Sequence, residues 1–215
     1  MVLADPQQIR SIVFDLDGTL YISPPLAKQI QSAADMLVAS TRGISREEGR
    51  SLLRCARRRL SEIYEEEPTL TRTLLEMGID IGDFHRAMQE TVHPERFLGN
   101  DPVLYALLDS LRDFCDLFIY TNNNLLLTRK ILALLGVEDL FERLYTIEFG
   151  WLPKPDSETL KRILEDIGGP PGSFLFVGDR QQVDLKLAGS LGIPTLLISE
   201  TSDLLQIHKM LGLVP

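Results

Sequence analysis

The spacing of apolar and polar positions divides the chain into three stretches. Ser11, Ile12, Val13 and Phe14 form a short run rich in β-branched and aromatic side chains, bounded by Asp15, and this predicts a buried strand. From 21 to 100 no comparable run occurs, and apolar residues recur at helical intervals instead. Ser23 followed by Pro24 and Pro25 gives an N-cap with prolines where a helix start tolerates them, so a helix is predicted over 26–40, stopping at Gly43. Ser45 and Glu48 have capping-box spacing for a second helix running towards Glu67, with Pro68 ending it. Shorter helices are predicted over 71–77 and 83–92.

Beyond Asp101 the period alternates. Strands are predicted at 117–120, 144–149, 174–177 and 195–198, separated by helices at 102–114, 125–135, 157–167 and 183–191, with a short helix over 203–211 closing the chain. Strands alternating with helices at this spacing imply an α/β fold, a doubly wound parallel sheet covered on both faces. The stretch between the first strand and the second is far longer than a crossover requires. It predicts a separate helical domain, 23–96, inserted into a core made of 1–22 and 97–215.

Composition narrows the function classes. With 44% apolar and 25% charged residues, the 215-residue chain has the make-up of a globular protein, large enough for one core and a smaller second unit. A net charge of −9 argues against nucleic acid as a partner, and an anionic substrate would need a local cation to offset that field. Residues 1–10 lack the basic start and apolar run of a signal peptide, and no stretch is long enough to span a membrane, so a cytoplasmic location is expected. Cys55 and Cys115 have no metal-binding spacing and are expected to be small buried side chains without a disulfide. Arg50, Arg54, Arg57, Arg58 and Arg59 are expected to form a solvated face pairing with Glu47, Glu62 and Glu65. Trp151 is expected to pack the loop that leads to Lys154.

Candidate chemistry gathers where strands end. In a parallel sheet every strand ends on the same edge. That edge collects Asp15 and Asp17 after the first strand, Thr121 and Asn122 after the second, Lys154 in the loop after the third, and Asp179 and Asp184 after the fourth. Close carboxylates favour a hard cation such as Mg²⁺, and Gly18 permits a sharp turn with close access to backbone. A calcium loop of the EF-hand type is excluded, because the positions that would need Gly and Glu hold Leu20 and Leu26. Carboxylates for a metal, a hydroxyl and an ammonium for an anion, and a spare carboxylate beside a nucleophile suit phosphoryl transfer.

The segments Asp15-Leu16-Asp17-Gly18-Thr19, Tyr120-Thr121-Asn122, Lys154-Pro155 and Gly178-Asp179 through Asp184 resemble the four ordered motifs of the haloacid dehalogenase-like hydrolases. The resemblance covers the chain outside the helical insertion, which sits where that superfamily carries a cap. Residues 69–108 are similar to the pyrimidine 5′-nucleotidase branch. The resemblance implies Asp15 as the nucleophile and Asp17 as general acid and then base. It implies Mg²⁺ held by the carboxylates of Asp15 and Asp179 and the carbonyl of Asp17, with Asp184 ligating through water or orienting Lys154. Thr121 and the Asn122 amide would bind phosphate oxygens, and Lys154 would neutralise charge on Asp15 and the phosphoryl group. The implied partner is a small phosphorylated metabolite such as a pyrimidine nucleoside 5′-monophosphate. A sugar-phosphate or phosphoglycolate phosphatase, a phosphomutase, a metal-independent dehalogenase and a non-catalytic binding protein are the alternatives. Tyr21, Arg54 and His85 are candidate substrate contacts, and the sequence carries no reading of oligomeric state.

Overall fold

Five strands make one sheet in the computed structural model, which describes residues 9–64 and 67–213. They are β1 (Ser11–Phe14), β2 (Asp116–Tyr120), β3 (Arg143–Tyr145), β4 (Phe174–Gly178) and β5 (Thr195–Leu197), in the order β3-β2-β1-β4-β5, all parallel. Register follows the pleat: Val13 pairs with Phe118 on one side and Phe176 on the other. These three, with Tyr120 and Phe174, face a cluster completed by Leu160, Ile163 and Ala188. On the other face of β1, Ile12 and Phe14 are fully buried as well, so the central strand is covered on both faces. Strand order reverses at β1, which places the switch-point crevice at the carboxyl ends of β1 and β4.

The crossovers of this sheet are α5 (Pro102–Arg112), α6 (Leu125–Leu135), α7 (Ser157–Ile167) and α8 (Lys186–Ser190), with α9 (Gln206–Met210) closing the described chain. The N-caps carry familiar chemistry: Asp101, Asn124 and Asp156 each accept a hydrogen bond from a first-turn amide. Three elements fall furthest short of prediction. β3 stops at Tyr145, because the Thr121 amide donating to the Tyr145 carbonyl (2.9 Å) is its last link to β2. Residues 147–149 turn into a 3₁₀ segment whose Ile147 amide donates to the Asn123 carbonyl (3.0 Å). The helix after β4 opens as a π-turn over Gln181–Leu185 before α8 begins. The last helix opens as a 3₁₀ turn over Thr201–Leu205, led by a Glu200/Asp203 capping box.

The chain divides into two compact units: the α/β unit, up to Ile22 and from Leu98 onward, and a helical unit, Ser23–Phe97. The helical unit comprises α1 (Pro24–Arg42), α2 (Arg46–Tyr64), α3 (Leu70–Glu76) and α4 (Ile81–Thr91), with no strand among its described residues. Ser45 and Glu48 form the expected reciprocal cap, the Ser45 amide donating to Glu48 (2.9 Å) and the Glu48 amide to Ser45 Oγ (3.3 Å). α1 and α2 approach closely at Gly49, where a Cβ would stand 2.8 Å from the Asp35 carbonyl and 2.9 Å from the Ala39 amide. Beside it Asp35 is buried and accepts from Arg50 (3.3 Å) and Gln31 (3.0 Å). Two arginines of the cluster pair with acids other than those expected. Arg50 reaches Asp35 on the facing helix α1 and Arg57 reaches Glu67 in the connection after α2 (3.0 Å), while Glu65 is outside the described residues. Cys55 is exposed rather than buried, on the outer face of α2, and Cys115 alone is buried. Among the described residues no helix is long and apolar enough to cross a membrane.

Candidate active site

β1 delivers Asp15 to the crevice, its amide held by the Val177 carbonyl of β4 (2.8 Å). The chain then folds back on itself. The Leu20 amide donates to the Leu16 carbonyl (3.1 Å) and the Gly18 amide to the Tyr21 carbonyl (2.9 Å), making a tight loop with Thr19 and Leu20 buried beneath it. Gly18 adopts φ +90°, and a Cβ there would lie 2.3 Å from Asp179 Oδ2. Only glycine lets the β1 loop and the end of β4 come this close.

Lys154 is the centre of the charge arrangement. Its side chain is buried, and Nζ donates to Asp15 Oδ1 (2.6 Å), Asp184 Oδ1 (2.7 Å) and the Tyr120 carbonyl (2.9 Å) while standing 5.0 Å from the centroid of the Tyr120 ring. Asn122 fixes it from the backbone side, accepting from the Lys154 amide (2.8 Å) through its side-chain oxygen. Asp184 is itself held, since the Arg180 amide donates to its second oxygen (3.0 Å). Gly178 leaves room for it, a Cβ there standing 2.5 Å from Asp184 Cβ. Thr121 is buried at the end of β2, where its hydroxyl oxygen accepts from the Asn123 amide (3.1 Å). Glu148 and Asn124 cap α6 through the Leu125 and Leu127 amides, which fixes the far end of this loop.

Burial shapes the electrostatics. It pushes the Asp15 carboxyl well above the ordinary carboxylate range, with Lys154 pulling it back and Asp184 and Asp17 pushing it further up. Asp17 is raised by burial, against the hydrogen bonds it accepts. Burial and the neighbouring Asp184 lift Asp179 to about 6. For Lys154 burial acts downward, but Asp15 and Asp184 outweigh it and keep the ammonium charged.

Asp15, Asp179 and Asp184 each offer a carboxylate oxygen, and these oxygens lie within 4.8 Å of one another. Three hard oxygen donors against one ammonium leave an excess of negative charge that a divalent cation would balance, and the glycine cradle at Gly18 keeps Asp179 at the crevice. The donor set therefore fits Mg²⁺.

All seven residues expected from the sequence (Asp15, Asp17, Thr121, Asn122, Lys154, Asp179 and Asp184) lie at the carboxyl ends of the strands or in the loops that follow them. Three residues of the network were not anticipated in their observed roles. Thr19 donates to Asp15 Oδ2 (3.4 Å), Asn123 donates to Asp17 Oδ2 (2.7 Å), and Tyr21 donates to Asp17 Oδ1. Tyr21 is thus a buried partner of Asp17. Its signal in the sequence was its place four residues after Asp17, legible only once the loop is known to double back. Of the other candidate contacts, both in the helical unit, Arg54 is exposed on α2 and His85 is buried against Phe84. Trp151 does not pack the loop: it is half exposed at φ +56°, and the loop is held instead by Asn122 and the buried Lys154.

Solved structures share this fold at low identity. A phosphatase of the haloacid dehalogenase superfamily from Thermococcus onnurineus aligns with a TM-score of 0.62 at 23% identity, covering 95% of this chain and 98% of its own. A hydrolase of the same superfamily from Bacillus subtilis, solved with magnesium, aligns with a TM-score of 0.58 at 18% identity, covering 95% and 99%. A 2-haloacid dehalogenase from Pseudomonas syringae aligns with a TM-score of 0.54 at 19% identity, covering 94% and 98%. The fold is common to enzymes named for phosphorus and for carbon chemistry, so it does not choose between them. Residues 9–192 match the haloacid dehalogenase-like hydrolase family, a span that takes in every residue of the strand-end cluster and the whole helical insertion, and the chain belongs to that family.

Proposed function

We propose that the protein is a Mg²⁺-dependent phosphomonoester hydrolase working through an aspartyl-phosphate on Asp15. The observation that carries the reading is the second carboxylate, Asp17, fixed by two hydrogen bonds two residues beyond the proposed nucleophile. A departing halide is a stable anion and needs no proton. A departing alkoxide does, and a positioned acid supplies ~10²–10⁴ in rate. Carbon–halogen chemistry would leave Asp17 without a task.

In the first step Asp15 attacks phosphorus as the ester P–O bond breaks, and Asp17 gives its proton to the leaving oxygen. In the second, Asp17 takes a proton from a water that attacks the phosphorus, and inorganic phosphate leaves Asp15 free. The Thr121 hydroxyl and the Asn122 amide are the proposed phosphate donors. Lys154 holds Asp15 through Oδ1, and its ammonium offsets charge on the phosphoryl oxygens. When bound, Mg²⁺ on Asp15, Asp179 and the Asp17 carbonyl, with Asp184 adjacent, supplies further positive charge to the phosphoryl group. Asp184 also orients Lys154 directly, at 2.7 Å.

The helical unit carries none of these residues, and leaving-group selection is assigned to it. The pattern over 69–108 favours a pyrimidine nucleoside 5′-monophosphate, with sugar phosphates and phosphoglycolate next. The test is release of inorganic phosphate from a panel of these esters, with and without Mg²⁺, with Asp15→Asn as control. Mg²⁺-dependent release that is lost in Asp15→Asn is expected. Release preserved in Asp15→Asn refutes the nucleophile, isomerised product without free phosphate makes the protein a mutase, and a preference for other esters discards the nucleotide substrate.

A further inference from the structure

Asp17 is held by two residues that take no step in the proposed mechanism. The Tyr21 hydroxyl donates to Oδ1, and the Asn123 side-chain amide donates to Oδ2 at 2.7 Å. Both partners are buried, Tyr21 at 7% and Asn123 at 6% exposure, so neither bond is diluted by solvent. The backbone enforces the first contact, since Asp17 and Tyr21 are joined by a β-bridge and the Gly18 amide is tied to the Tyr21 carbonyl. The second is enforced as well: the Asn123 amide is anchored on Thr121 Oγ1 and its carbonyl accepts from the Ile147 amide.

The geometry points to Tyr21 and Asn123 as positioning residues for proton transfer by Asp17, a reading that rests on the phosphoryl-transfer function proposed above. A carboxylate can accept at about four lone-pair sites, and a protonated carboxyl keeps acceptor capacity on its oxygens. Two fixed donors, one on each oxygen, therefore leave the carboxyl plane no freedom to turn. The proton is confined to the lone pairs that face away from Tyr21 and Asn123, in both steps of the reaction. Proton transfer needs heavy atoms within hydrogen-bond reach, and this clamp sets that reach by fixing Asp17.

The clamp has a signature that a merely structural role lacks. An alkyl phosphate needs the acid because alkoxide is a poor leaving group, whereas p-nitrophenolate leaves without a proton. Tyr21→Phe keeps the ring and its packing and removes only the donor. It is expected to lower kcat/KM for alkyl phosphates about tenfold while changing that for p-nitrophenyl phosphate less than about threefold, a fraction of the full general-acid effect. Asn123→Ala should show the same selectivity, and the double variant a larger one. Equal losses on both esters with an unchanged Tm, or no loss on either, would overturn the inference. If the wild type hydrolyses no ester, the proposed function fails, and the clamp is judged by NMR instead. The tyrosine ring carbon bearing the Tyr21 hydroxyl should shift in Asp17→Asn, and an unchanged resonance would sink it.

Discussion

At Lys154 an ammonium that burial would tend to neutralise stays charged, because Asp15 and Asp184 face it at 2.6 and 2.7 Å. The same contacts make the residue indispensable to its neighbours. Removing one partner of a buried charge pair leaves the other uncompensated, which costs about 3–5 kcal/mol. Lys154→Met should lose stability of that order at pH 7.5 by denaturant unfolding, together with catalytic turnover. The deficit should narrow towards pH 5, where the stranded carboxyls can take up protons. A deficit independent of pH would mean that packing of the lysine stem, not its charge, is what matters. Asp15 and Lys154 could be picked out by residue type and place along the chain. Their mutual hydrogen bond could not, because the two residues are 139 positions apart.

Among the elements, the α1–α2 pair shows how packing overrides propensity. Gly49 sits inside α2, where alanine would be favoured by about 1 kcal/mol on helix propensity alone. A Cβ at that position would meet backbone of α1 at 2.8 and 2.9 Å, and backbone cannot step aside as a flexible side chain can. Overpacking of this kind costs about 1–3 kcal/mol, so the steric term wins. Gly49→Ala is therefore expected to lower Tm, and a raised Tm would show that α1 yields easily. The shortened β3 follows similar logic. Leu144 to Phe149 have the composition of a longer strand, but the pairing edge of β2 ends at Tyr120, and the chain turns once no neighbour is left to bond.

Over the whole molecule, net charge and site charge act in one direction. Asp15, Asp17 and Asp179 all have carboxyls raised above their unfolded values by burial. A group whose folded pKa is raised binds protons more readily in the folded state. Its stabilising contribution is present at low pH and lost as pH rises through the folded value, about 6 for Asp179. Without metal, Tm is expected to rise as pH falls from 7.5 to 5.5. Asp179→Asn should flatten that rise and give a higher Tm than the wild type at pH 7.5. Mg²⁺ held as proposed would compete with protons for the same oxygens, so an increase in Tm on adding Mg²⁺ is expected to be larger at pH 7.5 than at 5.5 and smaller in Asp179→Asn. The reverse order in a thermal scan would mean that the ion binds elsewhere. Asp203 and Glu48, whose carboxyls are held low by hydrogen bonds, work the opposite way and withdraw stability only at more acidic pH.

The sequence by itself determined what is local or periodic. Buried strands were legible from β-branched runs, helices from caps such as Ser45/Glu48, and the parallel sheet from alternation of the two. That topology alone set Asp15, Thr121, Lys154 and Asp179 on one edge, because every strand of a parallel sheet ends there. Tertiary structure decided everything that depends on which distant atoms meet. It turned Tyr21 inward onto Asp17, gave Asn122 a side-chain role on the Lys154 backbone, left Trp151 half exposed and Cys55 exposed, and sent Arg50 to Asp35. The physical reason is common to all of these. Periodicity records which face of an element is apolar, whereas hydrogen bonds and ion pairs form over about 3 Å between residues that the chain brings together only on folding.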